Sequence, residues 1–313
     1  MGRYVLHRLF ATLPVVAVVT IVVFLLLHLA PGDPAAVIAG DNAAPQEIER
    51  IRVQLGLDRP LLQQFWIWLV RLLHGDLGVS IYSNLPVMRL IGQRIGPTLS
   101  LAVGTLVVSV LIAVTLGVIA AVQAGKFVDH LVMLLAILGL SAPVFVVGYL
   151  MALVFSVELE WLPVQGYSPI AAGLRPYLSH LVLPTVALAL NFIALIARMT
   201  RASMLEVLAQ DYIRTAHAKG IGGFQVVTVH ALKNASVPIV TTIGTGVALL
   251  ISGVVITESV FNIPGIGRLV VDAITRRDYP IIQGTTLVFA FVYVFINLLV
   301  DLSYVVLDPR IRY

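Results

Sequence analysis

Residues 206–234, EVLAQDYIRTAHAKGIGGFQVVTVHALKN, form the longest polar segment in the second half of a chain that is otherwise mostly apolar. Leu205, Leu208, Tyr212 and Ala216 recur at spacings of three and four, which places them on one face of a predicted amphipathic helix, with Glu206, Gln210 and Arg214 on its other faces. Lys219 in the last turn and Gly220 just beyond it are stop signals, because glycine takes the left-handed conformation that reverses the chain at little steric cost. Gly222 and Gly223 continue the turn. A second short helix is expected from about Phe224 to Asn234, and Pro238 then falls in the first turn of the next helix, where its missing N–H costs nothing. Such a segment, set between apolar stretches, reads as a docking lever; an amphipathic loop lying on a membrane surface is the plainer alternative.

Composition decides the class around it. With 59% hydrophobic and 12% charged residues over 313 positions, and a mean hydropathy of +0.99, the chain belongs with polytopic membrane proteins, although its length alone would suggest about two soluble domains. A net charge of +4 is too small to argue for nucleic acid. With no cysteine there is no disulfide, no thiolate metal site and no thiol nucleophile. Uncharged apolar stretches long enough to cross a hydrocarbon core of roughly 30 Å, about 20 helical residues, are expected at 9–30, 97–124, 131–156, 178–197, 235–257 and 281–306. The first is read as an uncleaved anchor, since its apolar run is too long for a signal peptide and His28 spoils a small-residue cleavage site. With the N-terminus inside, the inner segments hold Arg3, Arg8, Lys126, Arg198, Arg201, Arg214, Lys219, Lys233, Arg310 and Arg312 against Asp129, Glu206, Asp211 and Asp308, whereas the outer segments are slightly acidic. The positive-inside rule therefore puts both termini and 206–234 in the cytoplasm.

Three domains are expected: the anchor helix 1–30, an outer helical subdomain 31–96, and a five-helix core 97–313 that carries the loop 201–234. In the subdomain, Pro45, Glu47, Glu49 and Gly56 bracket a helix of about eleven residues. Pro60 to Leu73, with Trp66 and Trp68, is too short to span; it suits either an interfacial helix or a buried one. Gly125-Lys126 lacks the glycine and the hydroxyl residue of a phosphate-binding loop, so it is only a turn. Pro143, near Gly139 and Ser141, is a bend in a moving helix or ordinary packing. Asn191 at membrane depth is an interhelical hydrogen bond or part of a pathway. Asp301, the one acid placed within a span, is expected to pair with Arg198 or Arg201 or to reach inward, since one isolated acid makes a poor proton relay.

Five separated stretches carry a resemblance: PGDP at 31–34, LGLDRPLLQQFWIWLVRLLHGDLGVS at 55–80, FSVELEWLP at 155–163, DYIRTAHAKG with HALKNA at 211–235, and TESVFNIPGIGRLVVDAITRRDYPIIQG at 257–284. Together they resemble the membrane permease subunits of ABC importers, in the branch handling dipeptides, oligopeptides, nickel and glutathione. The wider superfamily pattern in the cytoplasmic loop is Glu-Ala-Ala, three residues, Gly, then Ile-x-Leu-Pro. Here Arg214, Thr215, Ala216, Gly220, His230, Leu232 and Lys233 stand at those places, and only Ala216, Gly220 and Leu232 match. The departures are those of the peptide branch.

The resemblance implies an all-α type I importer permease fold with six spans, in a bacterial inner membrane. It also implies pairing with a second, homologous permease, two ATPase subunits and a soluble substrate-binding protein. ATP and Mg would then sit on the ATPases, with no cofactor on this chain. In that family the loop is a coupling helix in a groove of the ATPase, which here assigns Asp211, Tyr212, Arg214, Thr215, Ala216, Ala218, Lys219 and Gly220 to coupling. Glu258, Asn262, Pro264, Gly265 and Gly267 are candidates, with Asn191 and Pro143, for a pathway, a gate or a contact with the binding protein; a structural outer hairpin is the alternative for the first five. The solute is expected to be a peptide, with glutathione, nickel or another small solute as the alternative.

Two rival classes fare worse. An intramembrane enzyme lacks its motifs: no histidine is followed by Glu, and Gly78-x-Ser80 and Gly139-x-Ser141 lack the final glycine of a nucleophile elbow. A self-contained carrier would show paired halves and several buried ionisable groups.

Overall fold

The computed structural model describes residues 2–29, 33–39 and 43–307. Pro31 and Gly32 of PGDP, and the DPRIRY tail, lie outside them. All regular structure among the described residues is helical apart from one isolated antiparallel bridge, Val79 to Pro86. In order the helices are α1 (Gly2–Leu29), α2 (Pro34–Ala39), α3 (Pro45–Leu55), α4 (Leu61–Leu73), α5 (Val87–Val122), α6 (Phe127–Ser141), α7 (Val144–Ala152), α8 (Leu174–Leu208), α9 (Asp211–Ala218), α10 (Gly223–Gln225), α11 (Leu232–Val260), α12 (Ile266–Arg276) and α13 (Tyr279–Leu307). Among the described residues five rods are long and apolar enough to cross a membrane: Phe10–Leu29, Val87–Val122, Leu174–Leu208, Gly223–Val260 and Tyr279–Ser303. Phe127–Ser141 with Val144–Glu158 makes a sixth if the pair counts as one span.

Two expectations change here. The 131–156 stretch is not one straight span, because the chain bends by 99° between Ser141 and Val144. Pro143 has no N–H to continue the ladder, and it sits in extended conformation at the start of α7. The short helix expected over 224–234 is not separate either. It runs unbroken into α11 through a six-residue π-helical turn, Val226–Ala231. Elsewhere the terminators act as read: Pro45 opens α3, and Gly56 at φ 69° closes it, its N–H bonded to the Val53 carbonyl at 3.0 Å while Leu57 N–H reaches Arg52 at 2.9 Å.

The described chain clusters into two compact units. The first comprises Met1–Leu9, Pro97–Pro264 and Phe295–Tyr313. Its centre is α8, packed against α6, α7 and α11, with Leu183, Leu188, Phe192, Ile196 and Met204 buried along it. Small residues set how near the neighbours come. A Cβ on Gly253 would collide with Leu188, one on Gly246 would lie 2.9 Å from the Phe192 ring, and one on Gly117 would lie 2.6 Å from Thr200 Cβ. Bare backbone at these positions is what lets the helices approach one another closely.

The second unit comprises Phe10–Gly96 and Gly265–Val294, so the expected outer segment groups with a stretch from the far end of the chain. Val87, Leu90, Ile91, Ile266, Leu269, Ala273 and Ile281 form its core. Asp278, 2% exposed, organises the turn before α5: its carboxylate accepts from Ser80 Oγ at 2.6 Å and from the N–H groups of Ile81 and Tyr82 at 3.3 Å. Arg276 lies 4.2 Å over the Tyr82 ring.

Candidate functional site

The polar segment of the first unit is built as a short helix on a rigid root. Helix α8 ends at Leu208, and Ala209 and Gln210 break it: Gln210 is extended (φ −73°, ψ 148°), and its carbonyl accepts the first turn's Ile213 N–H at 3.1 Å. Helix α9 then runs eight residues. The single helix from Leu205 to Ala216 expected from the apolar spacing is therefore two. The face changes accordingly, since the residues that go into the core are Ile213 and Ala216, 3% and 8% exposed, while Tyr212 stays 43% exposed. Both join the main apolar cluster with Met204, Val226 and Ala231. The i, i+3 spacing of Ile213 and Ala216 was legible; the break at 209–210 hid it.

Asp211, Arg214, Thr215, His217, Ala218, Lys219 and Gly220 are all exposed, and Arg214 lies 3.7 Å from Asp211. One polar link, held in place by a second bond within the following helix, ties α9 to it. Asn234 Nδ2 donates to Tyr212 Oη at 3.0 Å and to its own helix at the His230 carbonyl at 2.8 Å. The helix stops at Gly220, φ +77°, where Gly220 N–H bonds to His217 and Ile221 N–H bonds to Ala216. A Cβ on Gly220, Gly222 or Gly223 would meet nothing within 4 Å. The segment is thus a rooted helix with one polar face and a bare glycine turn.

The root is fastened by a pair that the sequence reading did not find. Arg201, two turns before α8 ends, donates to both oxygens of Asp129 at 2.5 and 2.7 Å, and Gly125 N–H donates to the same carboxylate at 2.9 Å. Asp129 is 2% exposed. One carboxylate thereby holds the 123–126 turn against α8. Asp301 is not paired with Arg198 or Arg201, as expected from sequence; it pairs with Arg8 at 3.2 Å, Arg201 being held by Asp129, while Arg198 is exposed. Charge alone did not say which helices are neighbours.

The remaining candidates are each held by contacts of their own. Asn191 Nδ2 donates to the Ala142 carbonyl at 3.4 Å, supplying the partner that the break at Pro143 takes away. Glu258, fully buried, accepts from Thr98 Oγ1 at 2.6 Å. Asn262 takes φ 54°, and Ile263 N–H returns to the Glu258 carbonyl at 2.9 Å, so 258–263 is a closed turn at the end of α11. Pro264 and Gly265 lead directly into α12, whose first turn buries Gly267.

The chain belongs to the family described as binding-protein-dependent transport system inner membrane component: that description matches residues 113–313, and its N-terminal counterpart matches 1–102. A probable peptide ABC transporter permease protein, y4tP, of Sinorhizobium fredii is 54% identical over 313 residues, covering 100% of both chains. A putative peptide transport system permease protein of Brucella abortus is 45% identical, and the glutathione transport system permease protein GsiC of Escherichia coli K12 is 44% identical, each over 100% of both chains. A solved structure of the MetNI methionine ABC transporter in inward-facing conformations matches with a TM-score of 0.55 at 18% identity, covering 71% of this chain and 97% of that one. The fold is that of a type I ABC importer permease, and the chain is a multi-pass membrane protein.

Proposed function

We propose that this chain forms half of the translocation pathway of an ATP-driven importer for peptides, with α9 as the lever that receives motion from a separate ATPase subunit. The observation that carries the reading is the division of α9: Ile213 and Ala216 anchor it in the core, while Asp211, Tyr212, Arg214, Thr215, Ala218, Lys219 and Gly220 face outward beside an uncovered turn. A helix rooted on one face transmits a push into α8 and α11, and exposed charge on the other face gives a partner something to grip. Two relatives named for peptides favour a peptide solute, and the 44% identity to GsiC keeps glutathione as the competitor.

Membership of the family supports a reading of the rest of the assembly, and the distribution of charge along the chain supports its orientation. The second half of the pathway is a homologous permease, ATP and Mg sit on two ATPase subunits, no cofactor is held by this chain, and a soluble protein delivers the solute. Residues 31–96 form the outer subdomain, 97–313 the core, and both termini lie in the cytoplasm. Because the chain has no cysteine, single cysteines at Tyr82 and Phe224, 69% and 85% exposed, test the orientation directly. A membrane-impermeant maleimide should label the first from outside intact cells and the second only after lysis, and the reverse pattern overturns the topology.

For the lever, Gly220→Trp and Arg214→Glu are reconstituted with the partner subunits. The expected result is loss of solute uptake with the solute pathway helices still folded and the ATPases no longer co-purifying. Normal uptake by both variants in full assemblies would refute the lever. Competition of labelled dipeptide uptake by glutathione separates the two solutes.

A further inference from the structure

We propose that the second unit carries a binding site for the phosphodiester headgroup of an anionic membrane lipid, between the end of α1 and the face of α4. A cavity of about 160 Å³ lies there, walled by Phe24, Leu27 and His28 from α1, by Leu57 and Arg59 from the turn after α3, and by Gln64, Trp68 and Arg71 from α4. That is too small for a peptide, since pockets for larger ligands run to about 300 Å³ and above. A phosphate with the start of its glycerol is of the right size.

The position is that of a headgroup. Helix α4 has no buried residue. Leu62, Trp66, Val70 and Leu73, at spacings of four, four and three, form a stripe between 50% and 77% exposed. Gln64, Ile67, Trp68 and Arg71 form the opposite stripe and line the cavity. A short helix with one bare apolar stripe, and with indole rings beside the end of a membrane span, lies in the bilayer surface. Its other face then stands at the depth of the lipid phosphates.

The chemistry is that of an anion site with its charge unspent. In the same unit Arg52 is committed to Asp33 at 2.5 Å and Glu49 at 3.1 Å. The guanidinium groups of Arg59 and Arg71 make no hydrogen bond or ion pair among the described residues. Guanidinium groups suit phosphate because their planar donors reach two oxygens at once. The wall behind them is stiff. Gln64 Nε2 donates to the Leu57 and Arg59 carbonyls at 3.3 and 2.8 Å, which turns its Oε1 toward His28 Nε2 at 3.0 Å. Gly56, φ 69°, makes the turn after α3 that precedes Arg59, and both residues line the cavity. Leu27, Val53 and Ile67 at the cavity's edge would meet the first methylenes of the chains. The inference rests on the chain being in a membrane and not on which solute it moves.

The test is lipid retention by the purified full chain, read by native mass spectrometry after exchange into mild detergent with equal amounts of phosphatidylglycerol and phosphatidylcholine. The chain should retain phosphatidylglycerol preferentially. Taking the attraction of one surface arginine for anionic lipid as about fivefold, Arg59→Ala or Arg71→Ala should each lower the preference by about fivefold and the pair by roughly twenty-five-fold. Both residues are exposed, so elution and helical circular dichroism should not change. Arg50→Ala, an exposed arginine away from the cavity, should leave the preference intact. Equal retention of the two lipids, an unchanged preference in the double variant, or an equal loss with Arg50→Ala would overturn the proposal. Displacement of the lipid by inorganic phosphate in excess would overturn the lipid as occupant and make free phosphate the ligand.

Discussion

Asp129→Asn removes the charge that holds Arg201 while leaving the side chain's size almost unchanged, so it isolates the fastening of the last turns of α8, just before α9. The magnitude is bracketed by how wet the pair is. Exposed pairs contribute at most about 1 kcal/mol, and breaking a fully desolvated pair costs about 3–5 kcal/mol. Here the side chains keep 4% and 28% of their exposure, with two short charge-assisted bonds between them. One partner sealed and one still reached by water places the loss at about 2 kcal/mol. A double-mutant cycle with Arg201→Met measures it: each full-length variant is unfolded by rising detergent denaturant in mixed micelles and followed by helical circular dichroism. Each single change should lose about 2 kcal/mol, and the double variant should lose little more than either. Single losses that add within about 0.5 kcal/mol would mean that the two groups do not act on each other, and the clamp would be refuted.

Three further changes probe other joints. Asn191→Leu should lose about 0.6 kcal/mol in the same titration, the cost of taking the donor from the Ala142 carbonyl, and unchanged stability argues against the cap. Gly253→Ala should cost about 1–3 kcal/mol by forcing Leu188 aside, and little when introduced into a Leu188→Ala background; the same cost in that background would place the strain elsewhere. Asp278→Ala should speed hydrogen exchange at the Ile81 and Tyr82 amides by roughly thirtyfold, the equivalent of about 2 kcal/mol in local opening, and unchanged exchange would show that the turn holds without the carboxylate.

Span number and punctuation were legible because they depend on single residues and on runs. Pro45 and Gly56 bracket α3, Gly220 stops α9, and long uncharged stretches have no other use. What depended on geometry between distant segments was not legible. Nothing in the spacing told Asp301 from Asp129 as the partner of Arg201, because the choice depends on which helix packs against α8, and the position of an acid along its own helix does not carry that. The break at Ala209 and Gln210 was hidden for a local reason: both residues tolerate a helix, and the periodicity of Leu205, Leu208, Tyr212 and Ala216 continues through the break by coincidence. At Pro143 the opposite happened. The proline announced a bend, but its size, and the use of Asn191 to satisfy the freed carbonyl, needed coordinates.

The π turn at 226–231 has a consequence for how this segment tolerates change. A π turn carries one residue more than the α-helix around it, so it works like a splice in a screw thread. All of α11 is advanced by one position, about 100° of rotation, relative to the short helix α10 that opens the rod. Deleting any one residue of Val226–Ala231 would remove the splice and swing Gly244, Gly246 and Gly253 away from Val300, Phe192 and Leu188, without altering a single residue of α9. A stretch that reads from sequence as a short helix of its own therefore sets the angular register between the segment that follows α9 and the packing of α11.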